Sequence, residues 1–523
     1  MFNFPALQKQ LAHPFILFFI VLTLVPILFL PFGIDQCIFI RGSEVLFSGG
    51  KLYADYFEQK PPLLFVFYGM ARVLFGNQDI SYRFFDFLWQ VFTVFSLLFC
   101  IQRLTHNKVT GIIGAIVYGI LYSSMGNSEI MECESFIAPA VIWLIYLTSK
   151  QSTDTKFLFI RGGLAGFCFG MKFTFGLIFA AILLWELLEA NNNKAKRLIY
   201  ITVGFLLVST CSFWAFFDSE VLHGYLRVLE YTRAYASIPP INIEFFRKAL
   251  MNTGNFFGDN ISLTLSFASA FGLGVSLKKY YNDDDNTTGR LVRICFIIFL
   301  FLLLSIIIER KFPPYHFLRL FIPFSALSAI GLSSAFTFIQ TNWNSTVKSW
   351  KFTATLLCLS GLLMSPLPRF FKNIQAGYRY YSSNQNTWVT FQSLDNPARI
   401  IDDTRDISEF IRSSKKKGRT FAITTAASYI YRLLDEHPIS KFSMPMYYYA
   451  TVVPKGAYQE MFEEVKLSHW LVVQKNDVHP TIYGHNKSSW DCVRTDSVMY
   501  SYLNTNFNQT AEIGAFYVFE RKD

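Results

Sequence analysis

The sequence predicts a polytopic α-helical membrane protein of about eleven transmembrane helices. A small α/β domain, lying outside the membrane, is predicted to follow from residue 371. Three observations carry this expectation. Of 523 residues, 52% are hydrophobic and only 16% charged, with 57 phenylalanines, a balance too poor in charge for a water-facing surface. Apolar runs of spanning length recur through the first 370 residues. Beyond them the chain turns polar and tyrosine-rich, and strand patterns alternate with helical ones.

The first run, Phe15 to Pro31, has one lysine before it and no small-residue cleavage site after it, so it reads as a retained anchor. Further runs fall near 82–102, 109–125, 135–149, 157–171, 173–190, 198–217, 260–277, 291–308, 315–338 and 352–368. An odd number of spans puts the termini on opposite sides. The connections "QRLTHNK", "KQSTDTK", "NNNKAKR", "KKYYNDDDNTTGR" and "NSTVKSWK" each carry two to four Lys or Arg. The positive-inside rule makes these connections cytoplasmic. The expected protein is therefore integral to the plasma (inner) membrane, with its N-terminus inside and its C-terminal domain outside. The same rule explains the net charge of +10 without a nucleic-acid partner.

The outer side then receives 32–80, 218–259 and everything after about 370. Residues 36–47 read as an interfacial helix stopped by Ser48-Gly49-Gly50, and Pro61-Pro62 open a second over 61–76, which is too short to span and contains Arg72. Gly162, Gly166 and Gly170 repeat every four residues, the small face that lets helices pack closely. In the tail, "TFAITTA" reads as a strand, "SYIYRLLDE" as a helix, and "WLVVQ" and "AFYVFER" as strands. The expected domains are thus 1–370 and 371–523. Five of the eight cysteines sit in apolar runs and none is in a CxxC pattern, so neither a zinc site nor a disulfide framework is predicted.

Candidate chemistry gathers on the outer side. Asp35 ends the first run, where a carboxylate is costly unless used; capping of the 36–47 helix is the plain alternative. Glu58 and Lys60 stand in "DYFEQKPP", where a lysine held by a proline-fixed turn suits a phosphate and also suits simple snorkelling. Glu129, Glu132 and Glu134 precede a span in "GNSEIMECESF". They could orient an acceptor, hold a divalent cation, or form a solvated acidic loop. Lys172 interrupts "GFCFGMKFTFGLIF" at a hairpin tip. "ERKFPPYHFLRLFIP" gathers Arg310, Lys311, Tyr315, His316 and Arg319, a set of donors suited to a phosphate and its sugar, or else a basic rim. The acidic "NDDDN" at 282–286 is read as a solvated cytoplasmic loop, and "SSKKKGR" at 413–419 as a solvated turn.

In this order, the span ending in Asp35, "SGGKLYADYFEQKPPLLF", the acidic loop, "GMKFTFG" and "FPPYHFLRLFIP" resemble the GT-C membrane glycosyltransferases, of the aminoarabinose-transferase and protein O-mannosyltransferase-related kinds. The resemblance covers about residues 10–370. It implies a polyprenyl-phosphate-linked sugar donor, an inverting transfer on the outer face to a lipid, glycan or protein acceptor, and no nucleotide cofactor. It implies catalysis at Asp35, donor-phosphate contact by Lys60 with Glu58 beside it, and a late tyrosine at Tyr315. Lys172 and Arg319 are expected to add positive charge for the leaving phosphate, with His316 beside them. Many relatives carry Asp-Glu where this chain has Asp35-Gln36, and Gln59 separates Glu58 from Lys60. Both a metal-dependent and a metal-free site fit the pattern. The rival class is a lipid-linked sugar flippase or secondary transporter. It is disfavoured because no internal repeat appears and the charges cluster at one face.

Overall fold

The structure, a computed structural model, describes residues 14–30, 32–189, 193–237, 241–259, 265–266, 268–270, 274, 287–341, 366–382, 399–414, 418–437 and 440–522. The predicted runs within these residues fall on helices. The runs at 260–277 and 352–368 lie largely outside them, as do "NDDDN" and the centre of "SSKKKGR". Among the described residues, four helices are long and apolar enough to cross a membrane alone: Asp79–Thr105, Lys194–Ser212, Thr287–Glu309 and Pro314–Ser334. The protein is a multi-pass membrane protein with a small sheet domain at its C-terminal end.

The chain forms two compact units. The first comprises Met1–Pro31, Phe75–Ser212 and Phe246–Gly377. It holds α1 (Pro14–Leu22), α4 (Asp79–Thr105), α5 (Lys108–Ser123), α6 (Ala138–Ser149), α7 (Thr155–Met171), α8 (Gly176–Glu189) and α9 (Lys194–Ser212). α11 (Ile243–Asp259), α12 (Thr287–Glu309) and α13 (Phe321–Thr341) complete its main helices. Short polar side chains start several of them. Asn107 accepts the Val109 N–H at 2.9 Å and Asp154 accepts the Lys156 N–H at 2.9 Å, filling donors that a helix start leaves orphaned.

The predicted glycine face does its work between α7 and α9. A Cβ at Gly162 would stand 1.9 Å from the Ile201 carbonyl oxygen, and one at Gly204 would stand 2.2 Å from that of Phe159. Only hydrogen fits there, so the backbones meet. Nearer the start of α7, Arg161 and Arg197 both grip the fully buried Glu186 of α8, tying three helices by one carboxylate. Inside the bundle, the buried Asp86 carboxylate accepts from the Tyr122 hydroxyl at 2.9 Å and from Gln90 at 3.1 Å. The same Tyr122 oxygen accepts the Met131 N–H at 3.0 Å, anchoring the acidic loop at a residue of φ +62°.

The second unit comprises Phe32–Leu74, Phe213–Phe245 and Tyr378–Asp523. Both short helices expected within 32–80 form: α2 (Ile34–Phe47), ended by Gly49 at φ +83°, and α3 (Pro62–Phe75), with Pro62 in its first turn. α10 (Ser219–Ala236), capped by Asp218, lies on the loop between them. A Cβ at Gly224 would reach 2.7 Å from the Tyr53 carbonyl carbon, and Lys51 pairs with Glu220 at 2.9 Å and Asp218 at 3.4 Å.

The tail folds as predicted around strands β1 (Thr420–Ile423) and β2 (Trp470–Gln474), with β3 (Phe507–Ile513), which sequence reading missed, and β4 (Phe516–Arg521). The sheet order is β1-β2-β4-β3, parallel only between β1 and β2. Trp470, Val472, Phe516 and Val518 share one face and pack on α14 (Arg399–Ser413) and α15 (Ala427–Leu434) through Ile407, Ile411, Ile430 and Leu434. α16 (Ala457–Lys466) lies in the crossover from β1 to β2.

Candidate active site

The second unit brings together Asp35, Glu58 and Lys60. Asp35 occupies the first turn of α2 and is half-buried. It is not the cap: Gly33 holds that position, and the Gly33 N–H donates to the Gln36 side chain. The Asp35 carboxylate is left at the positive end of a helix, which favours an anion. Glu58 is buried; its Oε1 accepts the Gln59 N–H at 2.8 Å and its Oε2 accepts the Tyr447 hydroxyl at 3.3 Å. Burial raises the Glu58 carboxyl above its usual range, Lys60 opposes that rise and the charge of Asp35 adds to it. The Lys60 ammonium lies 5.6 Å from the Phe39 ring centre, and the Lys60 carbonyl accepts the Tyr53 hydroxyl at 2.8 Å. Tyr53 itself sits at φ +69°, a left-handed backbone that a tyrosine adopts only under constraint.

Tyr235 of α10 reports the same neighbourhood. Burial pushes its phenol up to about 12, Asp35 and Glu58 raise it and Lys60 lowers it. Asp35, Glu58, Lys60 and Tyr235 therefore share one electrostatic environment. Carboxyls beside an ammonium can accept a proton and receive an anion.

The first unit brings the remaining candidates into a separate cluster. The Lys172 ammonium lies 2.8 Å from Glu134 Oε1, 2.8 Å from Glu309 Oε2 and 3.2 Å from His316 Nε2. Arg319, fully buried, donates to Glu134 Oε1 at 2.6 Å, Glu309 Oε1 at 2.8 Å and the Ser305 hydroxyl at 2.6 Å. Its guanidinium lies 4.7 Å from the Phe175 ring centre. Thr174 also donates to Glu309. Tyr315 stacks edge-on against His316 at 4.7 Å. Two cations thus face two carboxylates in a closed, buried network. Lys311, half-buried beside it, is pushed down to about 8 by burial, and Arg310 takes φ +56°.

The three acids of the second loop separate in role. Glu134 joins the network. Glu129 accepts the Gly126 N–H at 2.7 Å and closes its own turn. Glu132 is buried at the start of the single helical turn Cys133–Phe136. Glu134, Glu309 and His316 offer ligand atoms within 4.8 Å of one another, as do Glu132, Cys133 and Glu134. In the first group a divalent cation would compete with the Lys172 ammonium, which already bridges both carboxylates.

Sequence reading missed Glu309, Tyr235 and Tyr447. Glu309 carries the signal that singled out Asp35, an acid ending an apolar run. Tyr235 and Tyr447 carry no local signal, since only folding brings them to Glu58.

The sequence model of the family described as dolichyl-phosphate-mannose-protein mannosyltransferase matches residues 59–214. No curated protein matches the chain. Among solved structures, the fold is similar to ArnT from Cupriavidus metallidurans bound to undecaprenyl phosphate, at 11% identity and TM-score 0.57, over 95% of this chain and 96% of that one. The apo crystal structure of the same ArnT aligns at 12% identity and TM-score 0.54, over 95% of each chain. The family match lies within the helical region, and the fold likeness runs the length of the chain. The chain thus has an ArnT-like fold and, over residues 59–214, is similar to the dolichyl-phosphate-mannose-protein mannosyltransferase family.

Proposed function

We propose that this protein transfers a sugar from a polyprenyl-phosphate donor to a lipid, glycan or protein acceptor at the outer face of the plasma membrane, with inversion at the anomeric carbon. The observation that carries this reading is the shared environment of Asp35, Glu58 and Lys60 in one compact unit. The likeness to a fold crystallised with undecaprenyl phosphate supports a lipid-linked donor. Asp35 acts as general base, taking the acceptor hydroxyl proton as the oxygen bonds to the anomeric carbon. The bond from that carbon to the phosphate oxygen breaks, and the phosphate leaves with the electron pair. Lys60, with Glu58 beside it, receives that developing charge. Lys172, Tyr315, His316 and Arg319, in the first unit, are the further candidates for sugar and phosphate contact. Of the acidic loop, Glu132 and Glu134 are the candidates for an acceptor or a divalent cation, whereas Glu129 is engaged in its own turn.

The test is transfer by purified protein from labelled polyprenyl-phosphate sugars into a lipid extract. Asp35→Asn and Asp35→Ala are expected to lower the rate by about 100-fold or more while the protein still inserts and purifies. Near-normal rates from both would refute the base. Lys60→Ala is expected to raise the apparent donor KM by about tenfold or more. An unchanged KM would refute the phosphate role.

A further inference from the structure

The C-terminal region reaches the loop that carries Glu58 and Lys60. The Phe57 N–H donates to the Lys441 carbonyl at 2.9 Å, and Phe57 pairs with Phe442 as an isolated β-bridge. The Phe57 ring lies 5.4 Å from that of Phe442, 5.1 Å from that of Tyr447 and 6.0 Å from that of Tyr231 on α10. Tyr447 is fully buried, and its hydroxyl is the one that donates to Glu58 Oε2. Behind these rings, the Arg227 guanidinium lies 5.8 Å from Phe57 and 6.0 Å from Phe442, pairs with Glu460 at 2.8 Å and donates to the Lys455 carbonyl. Lys441 pairs with the same Glu460. Segments nearly 400 residues apart in sequence are thus held by backbone, ring and charge together.

We infer that Tyr447 is a positioning residue for glycosyl transfer: its hydroxyl orients the Glu58 carboxyl, and the 441–447 segment holds the loop that presents Glu58 and Lys60. The C-terminal domain is then a part of the donor site and not an appendage to it. This rests on the reading of Glu58 and Lys60 as donor-site residues. Physical reasons favour a hydroxyl at this place. A buried carboxyl left without a donor is costly, and a hydrogen bond from a ring locked by three aromatic neighbours fixes its direction. Because the hydroxyl stabilises the ionised form of Glu58, removing it raises that carboxyl further.

The experiment uses the full-length purified enzyme and compares Tyr447→Phe, Glu58→Gln and the double variant. Tyr447→Phe keeps the ring and removes the hydroxyl. It is expected to raise the apparent donor KM by about threefold to tenfold, with kcat less affected. It is also expected to move the acid limb of the kcat/KM profile to higher pH, because Glu58 then ionises later. In the Glu58→Gln background the same change is expected to have little further effect. A wild-type KM and pH profile for Tyr447→Phe, or effects that simply add in the double variant, would overturn the inference while Lys60→Ala remains impaired. A Lys60→Ala enzyme with normal donor KM would instead overturn the donor-site reading beneath it.

Discussion

Glu309 shows how much one side chain can decide. Its carboxylate collects Lys172, Arg319 and Thr174, and Lys172 and Arg319 share Glu134 as well. In so buried a place, breaking a charge pair costs more than removing it whole. Glu309→Gln is expected to destabilise by about 3–5 kcal/mol, because it leaves Lys172 and Arg319 with one carboxylate between them. Glu309→Gln with Lys172→Met is expected to be milder than the single change, since charge balance returns. Thermal midpoints in detergent decide it, and a double variant less stable than the single one would refute the account. At this scale the sequence was partly legible. Lys172, His316 and Arg319 stood out in apolar surroundings, yet Glu134, which Lys172 and Arg319 share, lies 38 and 185 residues from them in sequence.

At the level of elements, the α7–α9 pair shows a pattern that sequence announced on α7, though not its partner α9 or Gly204. Four-residue glycine spacing predicted close approach, and the backbones do meet at Gly162 and Gly204. Gly162→Leu is expected to cost about 3 kcal/mol or more, because the obstacle is backbone that cannot rotate away. Gly163→Ala is expected to be nearly neutral, since its nearest neighbour is the Val208 side chain at 3.2 Å. Folded yield and melting in detergent distinguish them; equal behaviour of the two would sink the packing argument. The short helices α2 and α3 were legible, through Ser48-Gly49-Gly50 and Pro61-Pro62. β3 was not, because "FNQTAEI" is polar on most positions and pairs only at an edge of the sheet.

Over the whole molecule, the positive-inside pattern predicts that the C-terminal end lies outside. A Lys522→Cys protein is expected to react with a membrane-impermeant maleimide in intact cells, whereas Lys108→Cys is expected to react only after lysis. The opposite pattern would reverse the topology and remove the outer-face site. Composition and periodicity by themselves determined that this chain is a helical membrane protein with an α/β tail, because the cost of burying polar groups in lipid is written into every apolar run. They also marked Asp35, Glu58 and Lys60, since charge at a membrane edge stands out locally. Only the tertiary structure decided that Tyr235 and Tyr447 join them, and that Glu309 meets Lys172 and Arg319. Glu309 and Arg319 are 10 residues apart, but Lys172 meets Glu309 across 137 residues and Tyr447 meets Glu58 across 389, and no short window of sequence encodes closures of that length.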